Sequence, residues 1–335
     1  MPPATPRDAA TVVVVREAAC AGLEVLLLQR AERGDHNSGA WVFPGGLVDP
    51  GDRADPALAF QRAAVRECFE ECGILLARDG GGSWPSLDAG VRAELAALRP
   101  RVASGELGFE AVCQRFGLQP SYGALHFIAH WLTPMGRAKR FDTRFFLALV
   151  PPGQEALHDA RETLGHVWIA PAEALSPRNS RRLMTPTRAT LEQLLPFDSA
   201  QALQDWAAQL RTVERILPRL GVDAGGVRPV QPHEPAYEEI GKLDPDGRAD
   251  VWCELRPGME VRLGHHVTRV MGEDGANRYF VDGSEVDPSR PTVIAEDRIA
   301  IAPDPDALPP ALRGAADWIA PPRGFLRRLG STSAG

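Results

Sequence analysis

Lysine is almost missing from this chain. Of 335 residues only Lys139 and Lys242 are lysines, so positive charge rests on arginine, and the formal net charge is −7. That balance leaves no electrostatic footprint for nucleic acid. Cysteine is sparse as well: Cys20, Cys68, Cys72, Cys113 and Cys253 are odd in number and scattered. They argue against a disulfide framework and for a reducing, cytoplasmic setting. Long apolar runs are lacking too. "TVVVV" at 11–15 is far too short to cross a bilayer, no stretch reads as a signal peptide, and the terminal "STSAG" is not a peroxisomal address. No membrane partner is therefore expected. What is present is a chain 44% hydrophobic and long enough for two modest domains.

One acidic stretch stands out. "RECFEECGILL", residues 66–76, crowds Glu67, Glu70 and Glu71 beside Arg66. Residues at i, i+3 and i+4 of a helix share a face, so the three carboxylates converge. Leu58, Val65, Phe69 and Cys72 fall on the opposite side, the pattern of a helix packed on a core. Asp55 before Pro56 reads as an N-cap and Gly73 as a left-handed C-cap, which predicts a helix over about 56–72. Like charges on one face either stay in water or receive a cation. The preceding run, "WVFPGGLVDPGD" at 41–52, favours the cation. Glycines let backbone approach a ligand closely, and carboxylate oxygens suit a hard divalent metal. Cys68 and Cys72, at i and i+4 on the helix, are assigned to packing and not to zinc.

These residues resemble the Nudix box, G-x5-E-x7-R-E-U-x-E-E-x-G-U with U aliphatic. Gly46 opens it, and Arg66, Glu67, Glu70, Glu71, Gly73 and Ile74 fill its second half. Three departures are visible. Asp52 stands where the first glutamate is expected, Cys68 takes an aliphatic position, and thirteen residues separate Asp52 from Arg66 where the family has seven. The resemblance implies an α/β fold, a Nudix α/β/α sandwich, and a catalytic group of Glu67, Arg66 and Glu70. It implies Mg²⁺ or Mn²⁺ held by Glu67, Glu70, Glu71 and the Gly46 carbonyl. Glu67 is either a further ligand or the group that deprotonates water, and Arg66 holds a glutamate in place. Glu162, before "HVWIAP", is a candidate additional acid or an ordinary exposed loop carboxylate.

Substrate class is sought outside the box. "LLLQRAERGDHNSGAWVFPGG", residues 26–46, is similar to the coenzyme A diphosphatase signature L-L-T-x-R-[SA]-x3-R-x3-G-x3-F-P-G-G. Leu28 replaces the threonine and Asp35 the second arginine, with Arg33 near enough to substitute. The resemblance makes Arg30, Arg33 and Gly45 candidate substrate-binding residues. Between box and next strand, residues 84–120 read as an inserted helix pair broken at Pro100 and Gly105. It either overhangs the site and grips substrate or forms an auxiliary packing layer. With "RFDTRFF" at 140–146, the long box and the insertion look like the peroxisomal-type coenzyme A diphosphatases and their bacterial relatives. The proline and tyrosine that mark ADP-ribose and dinucleoside polyphosphate hydrolases beyond the box are missing here, and "GSWPS" at 82–86 only faintly echoes the NADH pyrophosphatase element.

The expected organisation is a Nudix domain over 8–221, a Gly/Pro-rich linker over 222–235, and a small β-rich region over 236–335, in which short alternating segments meet glycine turns. No role is read for that last region. Adjacent His265 and His266, if on a strand, face opposite ways and do not readily share a metal. The expected activity is metal-dependent hydrolysis of a nucleoside diphosphate linked to another moiety. Coenzyme A or acyl-coenzyme A is the first choice, with an ADP-sugar or dinucleotide, or a non-catalytic nucleotide-binding module, as the alternatives.

Overall fold

The computed structural model describes residues 4–18, 22–31, 38–223, most of 225–302 with short interruptions, and the backbone of 325–328. The chain divides into two compact units, one of residues 6–132 and 141–215, the other of residues 4–5, 133–140 and 216 onward.

The first unit is built on a mixed sheet. β1 (Arg7–Glu17) is central because "TVVVV" is apolar at consecutive positions, and Val12, Val13, Val14 and Val15 are all fully buried. A strand buried on both faces needs no alternation. β8 (Phe141–Leu149) runs parallel to β1 over Arg7–Val15. On its other edge β1 is shared: Ala9–Thr11 pair with β4 (Gly45–Leu47), and Val15–Glu17 pair with β2 (Leu23–Arg30). β2 in turn pairs with the short β3 (Trp41–Val42) and with β9 (Thr163–Ile169), while β7 (His126–Leu132) lies beyond β8. One face of the sheet, with Val12, Val14, Leu26, Leu28 and Phe146, packs on α1 (Ala59–Cys72). The opposite side carries α4 (Pro171–Leu175), α5 (Thr185–Leu194) and α6 (Ala200–Gln209), with α4 packed on β2 and α6 on β1, β7 and β8. This is the expected α/β/α sandwich.

α1 ends as expected, with Gly73 left-handed at φ +73° and its N–H donating to Phe69 O at 2.9 Å. It begins later than expected. Asp55 Oδ1 accepts from Ala57 N at 3.0 Å in a tight local turn, and Leu58, not Asp55, takes the N-cap position. Asx side chains compete with the helix in this way. Residues 52–54 form one separate 3₁₀ turn.

The insertion consists of α2 (Ala89–Ala103) and α3 (Phe109–Arg115), framed by the strand pair β5 (Ala77–Asp79) and β6 (Leu118–Pro120). Pro100 does not break it. Proline in the last helical turn removes one donor and leaves its φ helical, so α2 runs on to Ala103 and turns at Gly105, φ +72°. Leu95, Leu98, Val102, Phe109 and Val112 pack against the buried side of α1, with the Phe109 and Phe69 rings 5.5 Å apart. The insertion forms a packing layer behind the acidic helix. Arg62 of α1 pairs with Glu110 of α3 at 2.8 Å, and Tyr122 Oη donates to the same carboxylate.

β10 (Arg215–Ile216) lies at the boundary between the units. The second unit is β-rich. The span 222–235 is not an unstructured connection: β11 (Arg219–Asp223) and β12 (Gly226–Val230) form an antiparallel hairpin across it, with Gly226 at φ +101° in the turn. Its glycines are hairpin residues. β13 (Glu260–Arg262), β14 (Val267–Met271), β15 (Asn277–Val281) and β16 (Ser284–Glu285) make a meander. β17 (Thr292–Ile294), β18 (Ile299–Ala302) and β19 (Phe325–Arg328) make a three-stranded sheet. His265 and His266 precede β14, and His266 bonds Asp282 through Nδ1 at 2.8 Å and Glu296 through Nε2 at 2.9 Å. Among the described residues no helix is long and apolar enough to cross a membrane.

Candidate active site

Arg66 is the centre of the acidic cluster. Its Nη1 donates to Glu67 Oε1 at 2.9 Å and Glu70 Oε1 at 3.1 Å, and its Nη2 donates to Asp52 Oδ2 at 2.9 Å and Leu47 O at 2.8 Å. Its Nε reaches both Asp52 oxygens at 3.2 and 3.3 Å. A planar guanidinium with five donors serves several acceptors at once. Asp52 is buried and also accepts from Asp49 N at 2.9 Å. Only its place in the box pattern pointed to Asp52, and the structure makes it the partner that anchors Arg66 from across the long loop.

The glycine strand lies directly over the carboxylates. A Cβ on Gly46 would stand 2.7 Å from Glu67 Oε2, and one on Gly45 would stand 2.7 Å from Thr11 Cα. A side chain at Gly45 would collide with backbone, and one at Gly46 would displace the Glu67 carboxylate. Gly45 N donates to Glu71 Oε2 at 2.8 Å, which ties the last of the three glutamates to the strand.

Burial sets the electrostatics. It pushes the Glu67 carboxyl up to about 7; Arg66 opposes this and Glu70 adds to it. Glu70 is raised by burial against the pull of Arg66. Glu71 is held well above the usual carboxylate range by burial and then by the Glu67 charge, with the Gly45 N–H and Arg30 acting the other way. Burial by itself would weaken the hold of Arg66 on its proton, but the Asp52 hydrogen bond and the Glu67 and Glu70 charges outweigh it. The site is thus short of positive charge.

Among the described residues no three His, Cys, Asp or Glu side chains are arranged to hold a metal ion by themselves. One oxygen each of Glu67 and Glu70 is engaged by Arg66, and one of Glu71 by Gly45. A hard divalent cation still fits. Mg²⁺ binds through one or two carboxylates, retains water and is completed by substrate phosphates. Carboxylate oxygens and the backbone of Gly45 and Gly46 are donors of the right chemistry.

The other candidates lie at the end of β2. Arg30 is half-buried, its N–H donates to Ala40 O at 3.0 Å, and its charge is felt by Glu71. Arg33 and Asp35 fall outside the described residues. Glu162 is exposed, and its carbonyl accepts from Ala31 N at 2.8 Å, which sets it beside Arg30. Its loop is shaped by Asp159, whose Oδ1 accepts from the amides of Arg161, Glu162 and Thr163. Arg99 of the insertion gave no signal in the sequence, yet it reaches the acidic helix: its Nη2 donates to Glu70 O at 2.9 Å.

The sandwich, the glycine strand and the glutamates fixed by one arginine define a hydrolase of known type, and the chain belongs to the Nudix family. The NUDIX domain model matches residues 5–90, and the more specific NUDT19 Nudix domain model matches residues 54–189. The chain is 32% identical over 285 residues to the acyl-coenzyme A diphosphatase NUDT19 of Gallus gallus, covering 67% of this chain and 74% of that protein. It is 30% identical over 274 residues to the Homo sapiens protein of the same name, covering 65% and 73%. Among solved structures, a NUDIX hydrolase from Alicyclobacillus acidocaldarius is 28% identical with a TM-score of 0.53, covering 60% of this chain and 96% of that one. Members of this family act on small nucleotide substrates and use a divalent metal.

Proposed function

We propose that the protein hydrolyses the diphosphate of coenzyme A or acyl-coenzyme A, releasing 3′,5′-ADP and (acyl-)4′-phosphopantetheine. The observation that carries this is the Arg66-centred glutamate cluster under the Gly45–Gly46 strand, in a chain whose relatives are named acyl-coenzyme A diphosphatases. Mg²⁺ or Mn²⁺ is the proposed cation, held by Glu67, Glu70, Glu71 and the Gly46 carbonyl. When bound it neutralises phosphate charge and lowers the pKa of water. Arg66 keeps Glu67 and Glu70 in one geometry, and Gly45 N does the same for Glu71. Glu67 is proposed either as a further ligand or as the group that takes a proton from water. Arg30 is proposed to draw the substrate phosphates, with Arg33, three residues further along the sequence, as a second cation and Gly45 giving close backbone approach. Glu162, beside Arg30, is proposed as the additional acid. The free thiols Cys68, Cys72, Cys113 and Cys253 support a reducing, cytoplasmic location.

The test is a panel of coenzyme A, acetyl-coenzyme A, ADP-ribose, NADH and a dinucleoside polyphosphate, with Mg²⁺ and with Mn²⁺, read by product mass. Release of 3′,5′-ADP from coenzyme A is expected. Turnover of ADP-ribose or NADH without coenzyme A would overturn the substrate, and nucleotide binding without any hydrolysis would overturn the activity.

A further inference from the structure

The last four carbonyls of a helix have no partner within it. In α1 these belong to the turn that carries Glu70 and Glu71, and their satisfaction comes from three directions. Phe69 O accepts from Gly73 N at 2.9 Å within the cap, and Cys72 O accepts from Leu157 N at 2.9 Å. Glu70 O accepts from Arg99 Nη2 at 2.9 Å. Leu157 belongs to the loop that leads through Asp159 to Glu162, and that loop is also clamped by Gln154, which bonds both N and O of Leu75 at 2.8 and 3.1 Å. Arg99 belongs to the insertion.

Arg99 is a costly residue to keep here. It is buried, its Nε has no partner, and its guanidinium lies so close to Gly73 that an added Cβ would stand 3.1 Å from Nη1. Burial lowers its proton affinity, while Cys72, Asp159 and Cys68 act to raise it. Neighbouring positions of the insertion that face α1, Leu95, Leu98 and Val102, are apolar. A leucine or methionine would satisfy packing at position 99. What an apolar residue cannot supply is a cationic donor at the C-terminal end of α1, where the helix dipole favours positive charge.

We propose that Arg99 is a positioning residue: by holding the Glu70 carbonyl it fixes the last turn of α1, and with it the Glu70 and Glu71 carboxylates, against the Gly45–Gly46 strand. The helical insertion thereby sets metal affinity and turnover without touching substrate. This rests on the metal role proposed above for Glu70 and Glu71.

The experiment compares wild type with Arg99→Met and Arg99→Lys in the full chain. It measures Tm, Mn²⁺ affinity by loss of the free-ion paramagnetic resonance signal, and kcat and KM for coenzyme A at saturating metal. Arg99→Met removes the burial cost of a guanidinium whose Nε has no partner but leaves the Glu70 carbonyl without its donor, so the two effects oppose and Tm should shift by only a few degrees. Small displacements of catalytic groups are expensive in rate. Mn²⁺ affinity should weaken severalfold and kcat should fall about 10- to 100-fold with KM little changed, and Arg99→Lys, which retains a cationic donor, should lie between. Wild-type Mn²⁺ affinity and kcat in folded Arg99→Met overturn the proposal. If Arg99→Met does not fold, Arg99→Lys decides: reduced kcat and Mn²⁺ affinity at unchanged Tm support it, and wild-type values overturn it. A wild type that binds Mn²⁺ and turns over while the variants match it removes only the role of Arg99. A wild type that does neither removes the site assignment as well.

Discussion

Glu67→Gln in the metal-free protein isolates the cost of burying one carboxylate. In the folded chain Glu67 holds its proton up to about pH 7, against 4.5 for the free side chain. A raised acid pKa means that the folded state binds the proton more tightly. The resulting stability is fully present below pH 4.5 and is lost as pH rises to 7. At about 1.4 kcal/mol per pKa unit, the gap corresponds to about 3 kcal/mol. Glutamine preserves the shape and does not titrate. Between pH 5 and pH 8 in chelator, wild type should therefore lose about 2–3 kcal/mol relative to Glu67→Gln, or roughly 5–10 °C in Tm for a domain of this size. Thermal unfolding across that pH series measures it. Adding Mg²⁺ at pH 8 should close the gap, because a cation stabilises the ionised carboxylate and has less to act on in the amide. Parallel pH profiles for the two proteins would refute the reasoning, since Glu67 would then ionise as easily folded as unfolded.

Glu70→Gln and Glu71→Gln should fold with undiminished metal-free Tm but lose nearly all diphosphatase turnover; full activity in either would remove the metal assignment. Asp52→Ala removes the carboxylate that bonds Arg66 through Nε and Nη2, so it should cost about 1–3 kcal/mol in denaturant unfolding and lower kcat, whereas an unchanged midpoint would show that Arg66 is held by the other carboxylates alone. Gly46→Ala should reduce turnover with little change in secondary structure by circular dichroism, because its methyl would overlap the Glu67 carboxylate; wild-type kcat would show that the strand gives way. Asp35→Arg, which restores the arginine of the coenzyme A signature, should lower KM for coenzyme A and leave kcat unchanged, and an unaltered KM would deny that position a part in binding.

The acidic helix and the sandwich were readable because their determinants are local. Apolar positions at helical spacing, a glycine at the C-cap and the valine run of β1 each report on one element. Asp55 misled because its carboxylate has two uses at a helix entrance, and tertiary context chose the turn over the cap. Pro100 reads as a break, yet α2 continues through it to Ala103, because the cost of one lost bond and a local clash is outweighed by the packing of Leu95, Leu98 and Val102 on the core. The hairpin at 219–230 was hidden by glycine and proline, which mark turns within sheets as well as linkers. Asp52 and Arg99 show the harder limit. Asp52 acts fourteen positions from Arg66 and Arg99 acts twenty-nine from Glu70, and no periodicity connects residues at such distances.

The segment between Asp52 and the start of α1 at Ala59 bears on how far this family's signature can be stretched. Closing a flexible loop of twice the length costs only about 0.6 kcal/mol more, so six extra residues are nearly free as long as the far carboxylate returns to the guanidinium. The 3₁₀ turn at 52–54 and the bond from Asp49 N to Asp52 Oδ2 bring it back. Distant descendants can therefore gain or shed residues here while the chemistry stays intact, and a pattern search that insists on fixed spacing will overlook them. The same stretch is a natural place to graft a peptide tag or a reporter, since its ends are pinned and its length is not.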